Sequence, residues 1–186
     1  MRTFIAVELP QNIQEYLAQV QERFKSSGAD IKWVKPDNCH LTLKFLGETD
    51  LTTMDRIIYV MEKVVDKYAY FMAQTSGLGA FGGLNSPRII WIGIGRGAQV
   101  VELIQKKLDE ELNAIGIPAE TRPFSCHVSI GRVRGKLNLR NLSEKIRYST
   151  LEPQQFRVEK IILFKSTLTP KGPIYERVKV ASLKAT

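Results

Sequence analysis

The sequence predicts an α+β fold of two related halves, with mainly antiparallel sheets flanked by helices. Three observations predict it. Segments of strand and helix character alternate in mixed order along all 186 residues. One five-residue pattern occurs twice, about half a chain apart. No linker or low-complexity stretch separates the halves, so residues 1–186 are expected to form a single bilobal domain.

The elements follow in order. Residues 2–8 (RTFIAVE) have strand character. Residues 11–26 place Ile13, Leu17, Val20 and Phe24 at helical spacing, and Pro10 suits a helix start. Two strands, 31–34 and 40–46, are separated by the turn-forming Pro36, Asp37 and Asn38. Residues 52–68 return to helical spacing through Met54, Ile57, Ile58, Met61, Val64 and Val65. A strand at 69–76 precedes GLGAFGGLNSPR, whose glycines and proline read as a loop over 77–88. That stretch lacks the GxxxxGK[ST] spacing of a triphosphate cradle. Residues 88–94 are apolar and β-branched, predicting a strand. A third amphipathic helix covers 99–114 and is closed by Gly116. A strand at 127–133, a short helix at 141–148 and strands at 155–164 and 174–183 complete the chain.

Hydrophobic residues make up 44% and charged residues 25%, the balance of a water-exposed folded domain. No apolar run approaches the ~18 residues of a membrane helix. The opening segment contains Glu8 and no small-residue cleavage site, so it is read as a strand, and a cytoplasmic location is expected. The net charge of +8 favours polyanionic partners such as nucleic acid without identifying one. Two cysteines, Cys39 and Cys126, are too few for a disulfide-stapled scaffold.

Both histidines of the chain lie in the repeated pattern. Residues 39–43 read Cys-His-Leu-Thr-Leu and residues 126–130 read Cys-His-Val-Ser-Ile. Alternate side chains of a strand share a face. His40 and Thr42 therefore share one face and Leu41, Leu43 and Phe45 the other; His127 and Ser129 oppose Val128 and Ile130. If the halves pair symmetrically, two His–hydroxyl pairs converge across a cleft. An imidazole titrates near ~6.5, so one ring can take a proton from an attacking oxygen while the other gives one to a leaving oxygen. Hydroxyls beside them can donate to nonbridging phosphate oxygens. The scheme requires no metal or other cofactor.

Other readings use the same residues. A lone histidine on a half-buried strand is ordinarily a packing residue, but matched contexts for both histidines argue against that. A Cys₂His₂ zinc site would need adjacent Cys and His to reach one ion from opposite strand faces. A non-catalytic RNA-binding module fits the charge but does not require two intact His–hydroxyl pairs. By strict alternation Lys44 falls on the His40 face, where it can bind phosphate or simply be solvated. Phe45 falls on the apolar face, favouring core packing over base stacking. Arg132 falls opposite His127 unless a bulge at Gly131 re-aims it. Tyr175 is a further candidate for stacking on a base.

HLTLKFLGE at 40–48 and HVSIGRV at 127–133 resemble the two signatures of the 2H phosphoesterase family: His, any residue, Thr or Ser, then an apolar residue. FIAVELP at 4–10, KWVKPDNCHLTLKFLGE at 32–48 and LFKSTLTPKGPIYERV at 163–178 are similar to flanking segments of its RNA 2′,3′-cyclic phosphodiesterase branch, also called 2′-5′ RNA ligases. The resemblance implies a bilobal α+β fold with the site in a groove between lobes, and hydrolysis of RNA 2′,3′-cyclic phosphate ends to 2′-phosphomonoesters. It implies His40 as proton donor, His127 as proton acceptor, Thr42 and Ser129 as phosphate-binding residues, and Arg132 as a substrate-binding residue. Reversible 2′-5′ ligation belongs to some members, and transfer RNA fragments are among the partners it suggests. A site built within one chain is compatible with a monomer. Ser129 stands where threonine is common, and Cys126 where proline is common.

Overall fold

The structure, a computed structural model, describes residues 1–185. Alternating and helical periodicities resolve into nine strands and four α-helices among those residues. The first half runs β1 (Arg2–Glu8), α1 (Gln11–Lys25), β2 (Ile31–Trp33), β3 (His40–Glu48) and α2 (Leu51–Val65). The second runs β4 (Phe71–Phe81), β5 (Ile89–Ile94), α3 (Ala98–Ala114), β6 (His127–Val133) and α4 (Leu139–Tyr148). The chain closes with β7 (Gln155–Val158), β8 (Lys160–Thr169) and β9 (Gly172–Ser182).

The strands pair in the order β7-β4-β5-β6-β3-β1-β8-β9, with β2 attached to β6. All these pairings are antiparallel. The order is symmetric about its middle: β3-β1-β8-β9 on one side mirrors β6-β5-β4-β7 on the other. The strand–helix–strand unit β1-α1-β3 thus corresponds to β5-α3-β6. Between β3 and β6 there is a single rung, Leu41 opposite Val128, and β2 adds Ile31, Lys32 and Trp33 opposite Val133, Arg132 and Gly131, so the sheets of the two halves form one curled path.

One face of this path is buried by the helices. Ile5, Leu41, Ile90, Ile92 and Ile130 pack with Leu17, Ile57, Met61 and Leu108 in a common core. Each such fully buried side chain contributes about 1.5–3 kcal/mol of transfer free energy. Helix α2 packs on β8, β9 and α3, while α1 reaches β6 and α3 reaches β3, interlocking the halves. The Asp50 carboxylate caps α2 by accepting from the Thr53 backbone N–H at 2.7 Å. Gly116 ends α3 with φ +94°, as its place after the helix predicts.

Two segments differ from expectation. The stretch read as a loop from residue 77 continues β4 to Phe81. Gly77, at φ +68°, forms a bulge where the register to β5 shifts, and Gly79 lies under the Trp91 ring, where a Cβ would sit 2.3 Å from the nearest ring atom. These glycines serve the strand instead of ending it. The run expected over 155–164 is divided at Glu159: β7 pairs with β4, whereas β8 crosses to β1.

Candidate active site

The uncovered face of the central strands forms a groove with a cavity of about 410 Å³. His40, Thr42, His127 and Ser129 all line it. The antiparallel rung at Leu41 and Val128 explains their placement. Residues flanking the rung point to the face opposite Leu41 and Val128, and His40 lies on the Ser129 side of the joint while Thr42 lies on the His127 side.

The two imidazoles are held in the same way. His40 Nδ1 lies 2.7 Å from the Asn38 carbonyl and His127 Nδ1 lies 2.7 Å from the Ser125 carbonyl. A carbonyl oxygen only accepts, so each Nδ1 carries hydrogen and Nε2 is the nitrogen left for proton exchange. Burial pushes both histidines below their usual pKa, opposed in each by the carbonyl contact; the nearby His127 lowers His40 further. Aromatic rings supply the burial. Phe4 lies 4.8 Å from His40 between centroids and Tyr175 meets it edge-on at 5.3 Å. Phe81 meets His127 edge-on at 4.7 Å.

Matched bulges re-aim the residues beyond the histidines. In β3, Ile5 pairs with Lys44 but Ala6 with Thr42, so Leu43 is the extra residue. In β6, Ile90 pairs with Gly131 but Trp91 with Ser129, so Ile130 is the extra residue. Each bulge falls three residues after its histidine and inverts the alternation that follows.

The outcome corrects two face assignments. Lys44 does not line the groove; it is only 3% exposed on the helix side. Its ammonium donates to Asp109 Oδ1 at 2.6 Å and to the Pro118 carbonyl at 2.6 Å, with Glu120 at 3.6 Å. Phe45, expected in the core, is 64% exposed and lines the groove. Arg132, five residues after His127 as Phe45 is after His40, is re-aimed by the bulge and also lines it. Tyr175 lines the groove from β9.

Sequence reasoning missed Phe4, Phe81 and Asn38. Phe4 was legible in principle, since Phe4, Ala6 and Glu8 alternate on the face that pairing places beside Phe45, Thr42 and His40. Phe81 was hidden by the loop reading of its glycine-rich surroundings. Asn38 orients His40 through its carbonyl while its amide donates to the Pro173 carbonyl at 3.1 Å, tying the histidine turn to β9. Cys39 is buried in the core with its thiol 3.8 Å from the Ser129 carbonyl. Burial pushes both cysteine thiols up to about 12, so neither is a thiolate at neutral pH.

Paired His–hydroxyl strands facing one groove across a pseudo-twofold joint define a phosphoesterase class of site. The chain belongs to the LigT like Phosphoesterase family, whose model matches residues 7–91 and again 94–175, once per half. A Methanocaldococcus jannaschii protein named RNA 2′,3′-cyclic phosphodiesterase is 38% identical over 183 residues, covering 96% of this chain and 99% of that protein. A Thermotoga maritima protein of the same name is 32% identical over 176 residues, covering 95% and 92%. Among solved structures, a Thermus thermophilus protein, TT0787, superposes with a TM-score of 0.78 at 26% identity over 100% of this chain and 99% of that one. E. coli LigT complexed with 3′-AMP superposes with a TM-score of 0.79 over 98% and 97%, and at 22% identity speaks to the fold.

Proposed function

We propose that this protein hydrolyses RNA 2′,3′-cyclic phosphodiester ends to 2′-phosphomonoesters by two-histidine acid–base catalysis. One observation carries the reading: two imidazoles with identical Nδ1-to-carbonyl tethers leave both Nε2 atoms for the same groove. The family and the printed names of the relatives supply the substrate class.

The reaction uses the chain's own groups. A water oxygen attacks phosphorus as His127 Nε2 takes its proton. The bond from phosphorus to the 3′ oxygen breaks, and His40 Nε2 delivers a proton to that oxygen. The products are a 3′-hydroxyl and a 2′-phosphomonoester, and solvent exchange resets the two rings. Thr42 and Ser129 donate to nonbridging oxygens, where negative charge grows in the transition state. Proton transfers of this kind contribute typically 10²–10⁴-fold each. Replacing water by the 5′-hydroxyl of another RNA gives a 2′-5′ linkage, so the same arrangement supports reversible ligation. Phe45 and Tyr175 offer faces for the terminal base, and Arg132 a positive charge for phosphate.

We take the acting unit to be one monomer, folded as a single bilobal domain over residues 1–186, because each half contributes one histidine. No helix among the described residues is long and apolar enough to cross a membrane; the cytoplasm, where transfer RNA fragments are candidate substrates, is the location we assign. The test is turnover of an oligonucleotide ending in a 2′,3′-cyclic phosphate, in excess chelator, with the product end identified. A terminal 2′-phosphate is expected. A 3′-phosphate, or turnover that chelator abolishes, would overturn the reading.

A further inference from the structure

We propose that Gln21, a buried side chain of α1 behind the sheet, is a positioning residue: it holds β6 at the point where that strand presents the Ser129 hydroxyl to the reacting phosphate. The inference rests on the proposed reaction and adds to it a residue that touches no substrate.

Strand β6 is bordered by an interrupted edge. Toward the first half it pairs at Val128 with Leu41 of β3 and at Gly131 with Trp33 of β2. Ser129 and Ile130 lie between these rungs, where the chain has left β2 and has not yet entered β3. Ile130 lacks a partner on the other side as well, because β5 pairs Trp91 with Ser129 and Ile90 with Gly131. The residue that carries the phosphate-binding hydroxyl is thus followed by one that no strand ladder holds. A buried backbone carbonyl needs a donor from somewhere.

The first half supplies the donors. The Val34 backbone N–H donates to the Ile130 carbonyl at 3.0 Å. The Gln21 amide nitrogen donates to the same carbonyl at 2.9 Å and to the Val34 carbonyl at 2.7 Å. The Cys39 thiol lies 3.8 Å from the Ser129 carbonyl. Carbonyls only accept, so the amide NH₂ of Gln21 faces them and both its hydrogens are used. The side chain is 5% exposed, and Val20 and Phe24 of the same helix anchor it in the core. Gln21 therefore spaces the exit of β2 from the bulge of β6 and keeps Ser129 turned into the groove. His127 has its own tether at the Ser125 carbonyl, so Gln21 bears on the hydroxyl and not on the imidazole.

A double-mutant cycle with Ser129 separates this role from a purely structural one. Gln21→Met keeps the length of the side chain and removes both donors. The single-turnover rate of its folded fraction on an RNA ending in a 2′,3′-cyclic phosphate is expected to fall roughly tenfold, the scale of one hydrogen bond to a charged group. Both limbs of its pH profile are expected to stay in place. In the Ser129→Ala background the same change is expected to alter the rate by less than about twofold. An unchanged rate in Gln21→Met, or the same tenfold loss with and without the Ser129 hydroxyl, overturns the proposal. If Gln21→Met does not fold, Gln21→Glu takes its place. Its buried carboxyl stays protonated and donates one of the two bonds, so a smaller loss with the same dependence on Ser129 is expected, and a loss independent of Ser129 overturns the proposal. If the wild-type protein turns over no cyclic phosphate, the hydrolase reading fails by itself. The positioning is then read from amide hydrogen exchange. Faster exchange over residues 129–131 in the Gln21 variant, with Val128 unchanged, is expected, and unchanged protection there overturns it.

Discussion

Leu41 and Val128 face each other across the single rung that joins β3, the strand of His40, to β6, the strand of His127. Each follows a histidine, and each is buried on the helix side. The rung fixes how far apart and at what angle the two imidazoles stand, so the packing of two aliphatic residues sets the geometry of the groove. Leu41→Ala is expected to cost about 2–5 kcal/mol of stability, as a large-to-small change in a packed core. It is also expected to lower kcat of the folded fraction more than it raises KM. Denaturant unfolding and steady-state kinetics on the same preparation check both. Loss of stability with kcat untouched would mean that the rung does not position the histidines.

Lys44 gives a prediction of the opposite kind. Its ammonium is buried between Asp109, Glu120 and the Pro118 carbonyl. Removing one partner of a fully buried pair typically costs about 3–5 kcal/mol; Asp109 and Glu120 reach solvent and Asp109 keeps the Glu120 backbone N–H, so the loss here is expected to be smaller. Lys44→Ala is therefore expected to lower the unfolding midpoint while KM for a cyclic phosphate substrate stays unchanged. A raised KM with normal stability would return Lys44 to the phosphate site.

The pH dependence follows from the burial of both histidines, which holds each below its ordinary value of 6.5. Acid–base catalysis needs one ring protonated and the other neutral, and the two limbs of the profile belong to the coupled pair. Both limbs of kcat/KM are therefore expected below pH 6.5, with the maximum on the acid side and activity falling toward neutrality. A falling limb above about pH 7 would contradict this.

The same shift has a consequence for folding. Below pH 6.5 the unfolded chain takes up protons that the buried rings resist, so stability falls with decreasing pH from 6.5 down to the lowered folded values. Unfolding of the wild type and of H40Q/H127Q, compared between about pH 7 and 5, isolates this effect. The double variant is expected to have the flatter dependence.

The sequence carried the chemistry better than the side-chain faces. Two His-x-hydroxyl segments half a chain apart were legible because strand alternation holds from His40 to Thr42 and from His127 to Ser129. It fails beyond them because each strand has a bulge, at Leu43 and at Ile130. An extra residue leaves no mark in an apolar run, so Lys44 and Phe45 were assigned to exchanged faces. Gly131 was the one local hint, and it applied to Arg132. The order of the sheet, and the return of β8 to β1, depend on long-range pairing that no local pattern encodes. Phe81 was lost for a related reason: glycines that make a bulge and admit the Trp91 ring read locally as a loop.

His40 and His127 are expected to act as one acid–base pair on a cyclic phosphate. Single-turnover rates of H40A and H127A on an RNA ending in a 2′,3′-cyclic phosphate, in excess chelator, test it most directly. Each variant is expected to fold normally and to lose at least about 10²-fold in rate, and the double variant to lose little more than the worse single one, because the pair works as a unit. A single variant that keeps a near-wild-type rate would contradict it.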